Sequence, residues 1–481
     1  MYDLFRQASA SGLPKTAVKS ILLTLCCGMA MSSPLSAQGI QGTWKGTLKV
    51  STVSMPLVFH ITDSAGRLTA TMDSPNQLAY GVPVTTATFQ NPQLHLELAP
   101  QHIVYDGQLG KSADSITGTF TQAGKSFPMN LVRTALASTT AVRDTQEPKK
   151  PYPYQSEDVR FQNPQAGITL AGTLTLPREK GPFPAVVLIT GSGPQDRNET
   201  IMGHKPFLVI SDYLTRRGIA VLRFDDRGIA ESGGDFASAT TADFATDVEA
   251  AVRYLHTRTE IRPGRIGLVG HSEGGLIAAM VAASDKKIDF IVMLAGPGLT
   301  GEQVLLTQQE AITRAAGEPA ETITRQQQVN GHLFRLIREI SDTTALKDSL
   351  APILETSIPK QLSEAERKKI VSRTLAQLTS PWMRYFIKAD PSVYLKKVSC
   401  PVLALDGTHD LQVVSDQNIP AIKKALAEGG NTRVTVHVFP GLNHLFQQSK
   451  TGLPGEYASS PETFAPVALQ TMTDWILAQV K

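Results

Sequence analysis

The sequence predicts a doubly wound, mainly parallel α/β sheet with a helical cap insertion, preceded by a small antiparallel all-β domain. Three observations carry this. Short alternating segments fill residues 38–136, bounded by Gly, Asn and Asp turns. From residue 158 continuous apolar runs alternate with helical patterns, as in parallel sheets covered on both faces. Between residues 298 and 390 that alternation stops, and a polar, helical stretch separates two sheet strands.

The chain begins with an expected export signal at 1–37. Lys15 and Lys19 precede an apolar run at 21–31, and Leu35-Ser36-Ala37 offers a small-residue cleavage site before Gln38. The run is too short to span a bilayer. Cys26 and Cys27 lie in this segment, so processing would leave Cys400 alone and exclude an intramolecular disulfide. The expected location is the periplasm or the exterior. With 46 Lys and Arg against 43 Asp and Glu, charge gives no reason to expect nucleic acid as a partner, or a membrane once the signal is gone.

In the β domain, Trp44 to Val50 alternates, and further strand patterns follow at Leu57-Val58-Phe59-His60-Ile61, Leu94-His95-Leu96-Glu97-Leu98 and Ile116-Thr117-Gly118-Thr119-Phe120. A sandwich and a small barrel both fit. The spacing of His60, His95 and His102 matches no metal motif. Residues 137–155 form a Pro-rich linker, with three prolines within Pro148-Lys149-Lys150-Pro151-Tyr152-Pro153.

The second domain, 156–481, opens on an antiparallel pair. Buried strands are then expected around Pro184-Ala185-Val186-Val187-Leu188-Ile189, Ile219 to Phe224, Ile288 to Leu294 and Val402-Leu403-Ala404-Leu405. Helical patterns cover residues 206–217, 241–256 and 276–284. The cap, about 299–390, shows helical spacing at Val329, Leu333, Leu336, Ile337 and Ile340 and a capping box at Ser363-Glu364-Ala365-Glu366. Its place between strands puts it over their carboxyl ends, where ligands bind in such sheets.

Chemistry converges on Gly270-His271-Ser272-Glu273-Gly274-Gly275. A strand pattern precedes it and a helical run follows, the context of a nucleophile elbow. Small flanking residues let strand and helix approach at a strained turn. Two later strands each deliver a polar loop: Asp406-Gly407-Thr408-His409-Asp410, then Pro440-Gly441-Leu442-Asn443-His444. A hydroxyl nucleophile needs a neutral imidazole to take its proton and a carboxylate to fix the imidazole tautomer. Ser272, His444 and Asp410 are the candidates. Asp406 reads as a turn former, and Asp416 is a further rival. His409 and His271 are expected in local roles. The backbone N–H of Glu273 should serve an oxyanion hole, with a second donor from Ser192 or Gly193; Pro194 has no N–H.

With these residues in place, residues 151–481 resemble the serine-aminopeptidase-like (S33, hydrolase-4) branch of the α/β-hydrolase superfamily. The similarity is strongest to its exported bacterial esterases with a β-rich N-terminal domain. It is carried by Gly191-Ser192-Gly193-Pro194-Gln195-Asp196-Arg197, Phe224-Asp225-Asp226-Arg227-Gly228, the elbow, Ser380-Pro381-Trp382 with Tyr385-Phe386, and the loops ending at Asp410 and His444. The resemblance implies Ser272, Asp410 and His444 as a triad, with no cofactor or metal. It departs at Ala230, where the pattern usually has glycine. The expected activity is carboxylic ester hydrolysis of a small molecule through an acyl-enzyme. The alternative is a serine aminopeptidase acting on short peptides, for which Glu302, Glu310, Glu318 and Glu321 of the cap could hold an ammonium. A non-catalytic binding protein is a remote alternative. Trp382, Tyr385 and Phe386 share a helix face that either fastens the cap or lines an acyl pocket above Ser272.

Overall fold

The computed structural model describes residues 40–50, 53–64, 67–74, 79–122, 124–134, 146–358 and 363–481. The expected signal segment and the first part of the linker lie outside the described residues. The chain divides into two compact units, Met1–Ala137 and Ser138–Lys481.

The first unit is one antiparallel sheet. Its strands are β1 (Gly42–Val50), β2 (Val53–Ser64), β3 (Arg67–Ser74), β4 (Ala79–Pro83), β5 (Thr86–Gln90), β6 (Gln93–Leu98), β7 (Ile103–Leu109), β8 (Ser115–Gln122), β9 (Lys125–Pro128) and β10 (Leu131–Thr134). The order is β4-β3-β2-β1-β10-β8-β7-β6-β5, with β9 beside β8, so the strands make a half-barrel and not two facing sheets. Alternation sends Trp44, Phe59, Leu96, Tyr105 and Phe120 to one core. Tyr105 keeps its hydroxyl paired by donating to the Met129 carbonyl at 3.1 Å. His60 and His95 face neighbouring carboxylates, Asp73 at 2.8 Å and Asp106 at 2.7 Å.

The second unit carries an eight-stranded sheet of β11 (Gln155–Asn163), β12 (Ile168–Leu176), β13 (Phe183–Ile189), β14 (Ala220–Phe224), β15 (Ile261–His271), β16 (Phe290–Leu294), β17 (Val402–Gly407) and β18 (Val434–Phe439). The order is β11-β12-β14-β13-β15-β16-β17-β18. The first three strands pair antiparallel, and from β14 onward every pair is parallel. The apolar runs are buried on both faces, as their lack of alternation requires. Along β13, Ala185, Val187 and Ile189 join one core, while Val186 and Leu188 join the opposite one. Helices α1 (Pro206–Thr215), α2 (Thr241–His256) and α3 (Glu273–Ser284) follow β13, β14 and β15. Deleting a side chain from cores this continuous typically costs about 2–5 kcal/mol.

After β16 the chain leaves the sheet for the cap: α4 (Gly301–Ala315), α5 (Ala320–Glu339), α6 (Thr343–Ser357), α7 (Glu364–Leu378), α8 (Pro381–Phe386) and α9 (Pro391–Leu395). Leu333 and Ile337 are the buried centre of its own small core, with Val329, Leu336 and Ile340 packed around them. Ser363 caps α7 through the expected box: its hydroxyl accepts from the Glu366 N–H, and its own N–H donates to the Glu366 carboxylate at 2.8 Å. The chain then returns through β17, α10 (Ser415–Glu428), β18 and α11 (Pro466–Val480). Among the described residues no helix is long and apolar enough to cross a membrane.

Candidate active site

Ser272 sits between the last residue of β15 and the first of α3, with φ 53° and ψ −121°. A non-glycine residue in this region is strained by roughly 1–3 kcal/mol, and the surroundings must hold it there. They leave no freedom. A Cβ on Gly270 would lie 2.0 Å from the Gly274 carbonyl oxygen, and one on Gly274 would lie 2.3 Å from the Ile189 carbonyl oxygen. The Ser272 N–H is anchored to the Leu294 carbonyl at 2.8 Å. The serine is thus raised on a sharp turn and half-buried.

His444 and Asp410 meet beside it. Asp410 Oδ2 accepts from His444 Nδ1 at 2.7 Å, and its Oδ1 accepts the N–H groups of Gln412 and Val413 at 2.7 and 2.9 Å. A carboxylate at Nδ1 fixes the proton on that nitrogen and leaves the Nε2 lone pair free to act as a base. Both side chains are buried. The Ser272 hydroxyl is not itself hydrogen-bonded to His444 among the described residues. The link runs through His271, whose Nε2 donates to the His444 carbonyl at 2.9 Å and whose ring centroid is 4.8 Å from that of His444.

Asp406 is not the turn former expected from its position. It lies within β17, fully buried, with Oδ1 accepting the Gly407 N–H at 2.7 Å. Burial, together with the nearby Asp410, holds its carboxyl well above the usual range. The other rival, Asp416, is exposed in the first turn of α10. His409 plays a local part, with Nδ1 at 2.9 Å from the Ser449 carbonyl.

The loop after β13 is clasped to the loop after β14. Thr190 Oγ1 and the Gln195 N–H donate to the two oxygens of buried Asp226, at 2.7 and 2.9 Å. Arg197 closes on Asp225 through Nη2 at 2.6 Å and reaches the Gly172 carbonyl at 3.1 Å. The two family motifs therefore hold one another and fix the segment from which Ser192 and Gly193 would supply a donor. The Gly191 N–H is already committed, donating to Glu199 at 2.8 Å. Glu273 begins α3, so no carbonyl one turn earlier in the helix takes its N–H. Ala230 adopts φ 47°, the left-handed conformation that the more usual glycine reaches without strain.

The aromatic trio divides. Trp382 stacks on Phe386 with centroids 5.0 Å apart, and Phe386 packs on Leu276 of α3, fastening the cap to the elbow helix. Tyr385 turns toward Tyr394, with the hydroxyls 3.4 Å apart, and lines a groove of about 660 Å³ whose lining does not include Ser272. Trp382 also donates its indole N–H to both oxygens of Glu273, at 2.9 and 3.0 Å, and Thr241 donates to the same carboxylate at 2.6 Å. Of the cap glutamates, Glu302 pairs with Arg338 and Glu310 with Arg314, at 2.9 and 2.6 Å, while Glu318 and Glu321 are exposed. No group of three His, Cys, Asp or Glu side chains among the described residues is arranged to hold a metal ion.

Glu273 has a measurable consequence. Burial raises its carboxyl to about 7, against the opposing pull of the Thr241 and Trp382 hydrogen bonds. The folded state therefore holds a proton that the unfolded chain has released, so stability falls as pH rises from about 4.5 to about 7. In E273Q the amide can accept from Trp382 and donate to Thr241. We expect E273Q to be more stable than the native chain by roughly 2–3 kcal/mol above pH 7, with the gap closing toward pH 4. Denaturant melts across that range measure it; a constant gap would refute it.

A serine on a strand–turn–helix elbow of a mainly parallel sheet, with a hydrogen-bonded histidine–aspartate pair on the loops after later strands, defines the α/β-hydrolase class. The family described as Hydrolase_4, serine aminopeptidase S33, matches residues 206–449, about half the chain, and the protein belongs to that family. Esterase EstD of Thermotoga maritima is 28% identical over 295 residues, covering 61% of this chain and 60% of EstD. Pseudomonas aeruginosa PA2218 is 32% identical over 156 residues, covering 31% of this chain and 40% of its own. This chain thus spans less than two thirds of the length of these relatives. The solved Pyrococcus furiosus esterase Pf2001 aligns over 67% of this chain and 92% of its own, at 16% identity and a TM-score of 0.41.

Neither Glu199 nor the pairing role of His271 is legible in the sequence. Glu199 stands two residues after Arg197 in a polar stretch, and no local pattern marks it.

Proposed function

We propose that this protein is an exported serine hydrolase that cleaves small carboxylic esters through an acyl-enzyme at Ser272. The observation that carries the reading is the strained serine at the elbow beside a buried His444–Asp410 pair at 2.7 Å. Ser272 Oγ attacks the ester carbonyl while His444 Nε2 takes its proton. Asp410 holds the imidazole in the right tautomer and stabilises the imidazolium. The oxyanion is received by the Glu273 N–H and a donor from Ser192 or Gly193. His444 returns the proton to the departing alcohol. Water then attacks the acyl group by the same route, releasing the acid and restoring Ser272.

Ester over amide is supported by EstD, the relative named an esterase. Export rests on the basic-then-apolar start of the chain. A panel of nitrophenyl acyl esters against aminoacyl nitroanilides tests the reaction. Ester turnover that exceeds nitroanilide turnover is expected. Faster nitroanilide cleavage would make it a peptidase, and no turnover of either would favour a binding role.

A further inference from the structure

His271 and Glu199 lie outside the triad and are joined by hydrogen bonds to the loop after β13 and to the His444 backbone. Glu199 Oε1 accepts the Gly191 N–H and the His271 Nδ1–H, both at 2.8 Å. His271 Nε2 meets the His444 carbonyl at 2.9 Å. Glu199 is 1% exposed and His271 5%, so water does not compete for these bonds. Both partners of the ring are oxygens that only accept when Glu199 is ionised, so both ring nitrogens must then carry protons. Burial opposes a charged imidazole, but the Glu199 carboxylate and the His444 carbonyl outweigh it, and the His271 pKa is raised. Glu199 itself is held at φ 52°, a left-handed conformation rare for a non-glycine residue.

The three bonds end on three separate elements. Gly191 opens the loop that bears the oxyanion donors. His271 is the last residue of β15 and is bonded directly to Ser272 in the chain. The His444 carbonyl belongs to the residue that carries the base. We propose that Glu199 and His271 are a pair of positioning residues for hydrolysis at Ser272, locking the oxyanion loop, the elbow and the base loop into one register. The proposal rests on the triad reading above. Neither residue touches the reacting atoms; the pair acts by holding the loops whose relative placement sets the attack geometry. A misplacement of about 1 Å in such a centre can lower turnover about a hundredfold.

The two ring nitrogens can be tested separately, because asparagine places an amide near Nδ1 and glutamine places one near Nε2. H271N removes the donor to the His444 carbonyl, and H271Q keeps it. Rates are measured on a nitrophenyl ester with the full chain, per site titrated by a fluorophosphonate. H271N should lower kcat about ten- to a hundredfold with KM changed less than about threefold, and H271Q should recover most of that loss. Wild-type kcat in H271N, or equal losses in both variants that follow their melting temperatures, would overturn the proposal and leave a packing role. Should H271N fail to fold, E199Q/H271N removes both charges and leaves no lone buried ion. The same fall in kcat is then expected, and wild-type kcat overturns the idea. S272A serves as the control: ester turnover that survives in it strikes the triad reading, whatever the position 271 variants do.

Discussion

S272A should lose about 10⁴–10⁶-fold in kcat toward nitrophenyl esters while its melting temperature and circular dichroism stay near those of the native chain. The size follows from the mechanism. Without Oγ there is no acyl-enzyme, and the oxyanion donors and binding alone leave only a small residue of catalysis. The fold should survive because alanine keeps the Ser272 Cβ and removes only the hydroxyl. The turn is held by the Ser272 N–H on Leu294 and by the close approach of Gly270 to Gly274. Alanine can occupy the same left-handed backbone at a similar strain. Fluorophosphonate labelling should vanish with activity. Labelling that persists in S272A would place the nucleophile elsewhere.

The second large effect separates two carboxyls four residues apart. D410N should lower kcat about 10³–10⁴-fold, and D406N should stay within about fivefold of the native rate. An amide at position 410 cannot hold a positive imidazolium and can present its N–H to His444 Nδ1, which forces the proton to Nε2 and removes the base. Position 406 differs because its hydrogen bond goes to the Gly407 N–H and not to His444, and burial with Asp410 pushes its carboxyl well above the usual range. The amide is close in shape to the carboxyl, and its oxygen can still accept the Gly407 N–H. Equal losses in the two variants would mean that Asp406 and Asp410 share the work of orienting His444. A large loss in D406N alone would exchange them.

The layers of the second unit and the strand–turn–helix around Ser272 were legible in the residues alone. Those features are local. A strand buried on both faces must be apolar throughout, and a nucleophile on a strand-to-helix turn needs glycines two residues to either side. That two later strands end in polar loops pointed to Asp410 and His444, and the structure pairs these two side chains. The β domain was legible as strands but not as one sheet, because alternation gives the face of a residue and not the neighbour of its strand. The supporting charges needed the folded chain. Glu199 and His271 are 72 residues apart and Glu273 and Trp382 are 109 apart, so no window of sequence contains either pair. The upward shifts of Asp406 and Glu273 follow from burial, and for a carboxyl burial is set by what packs over it from elsewhere in the chain.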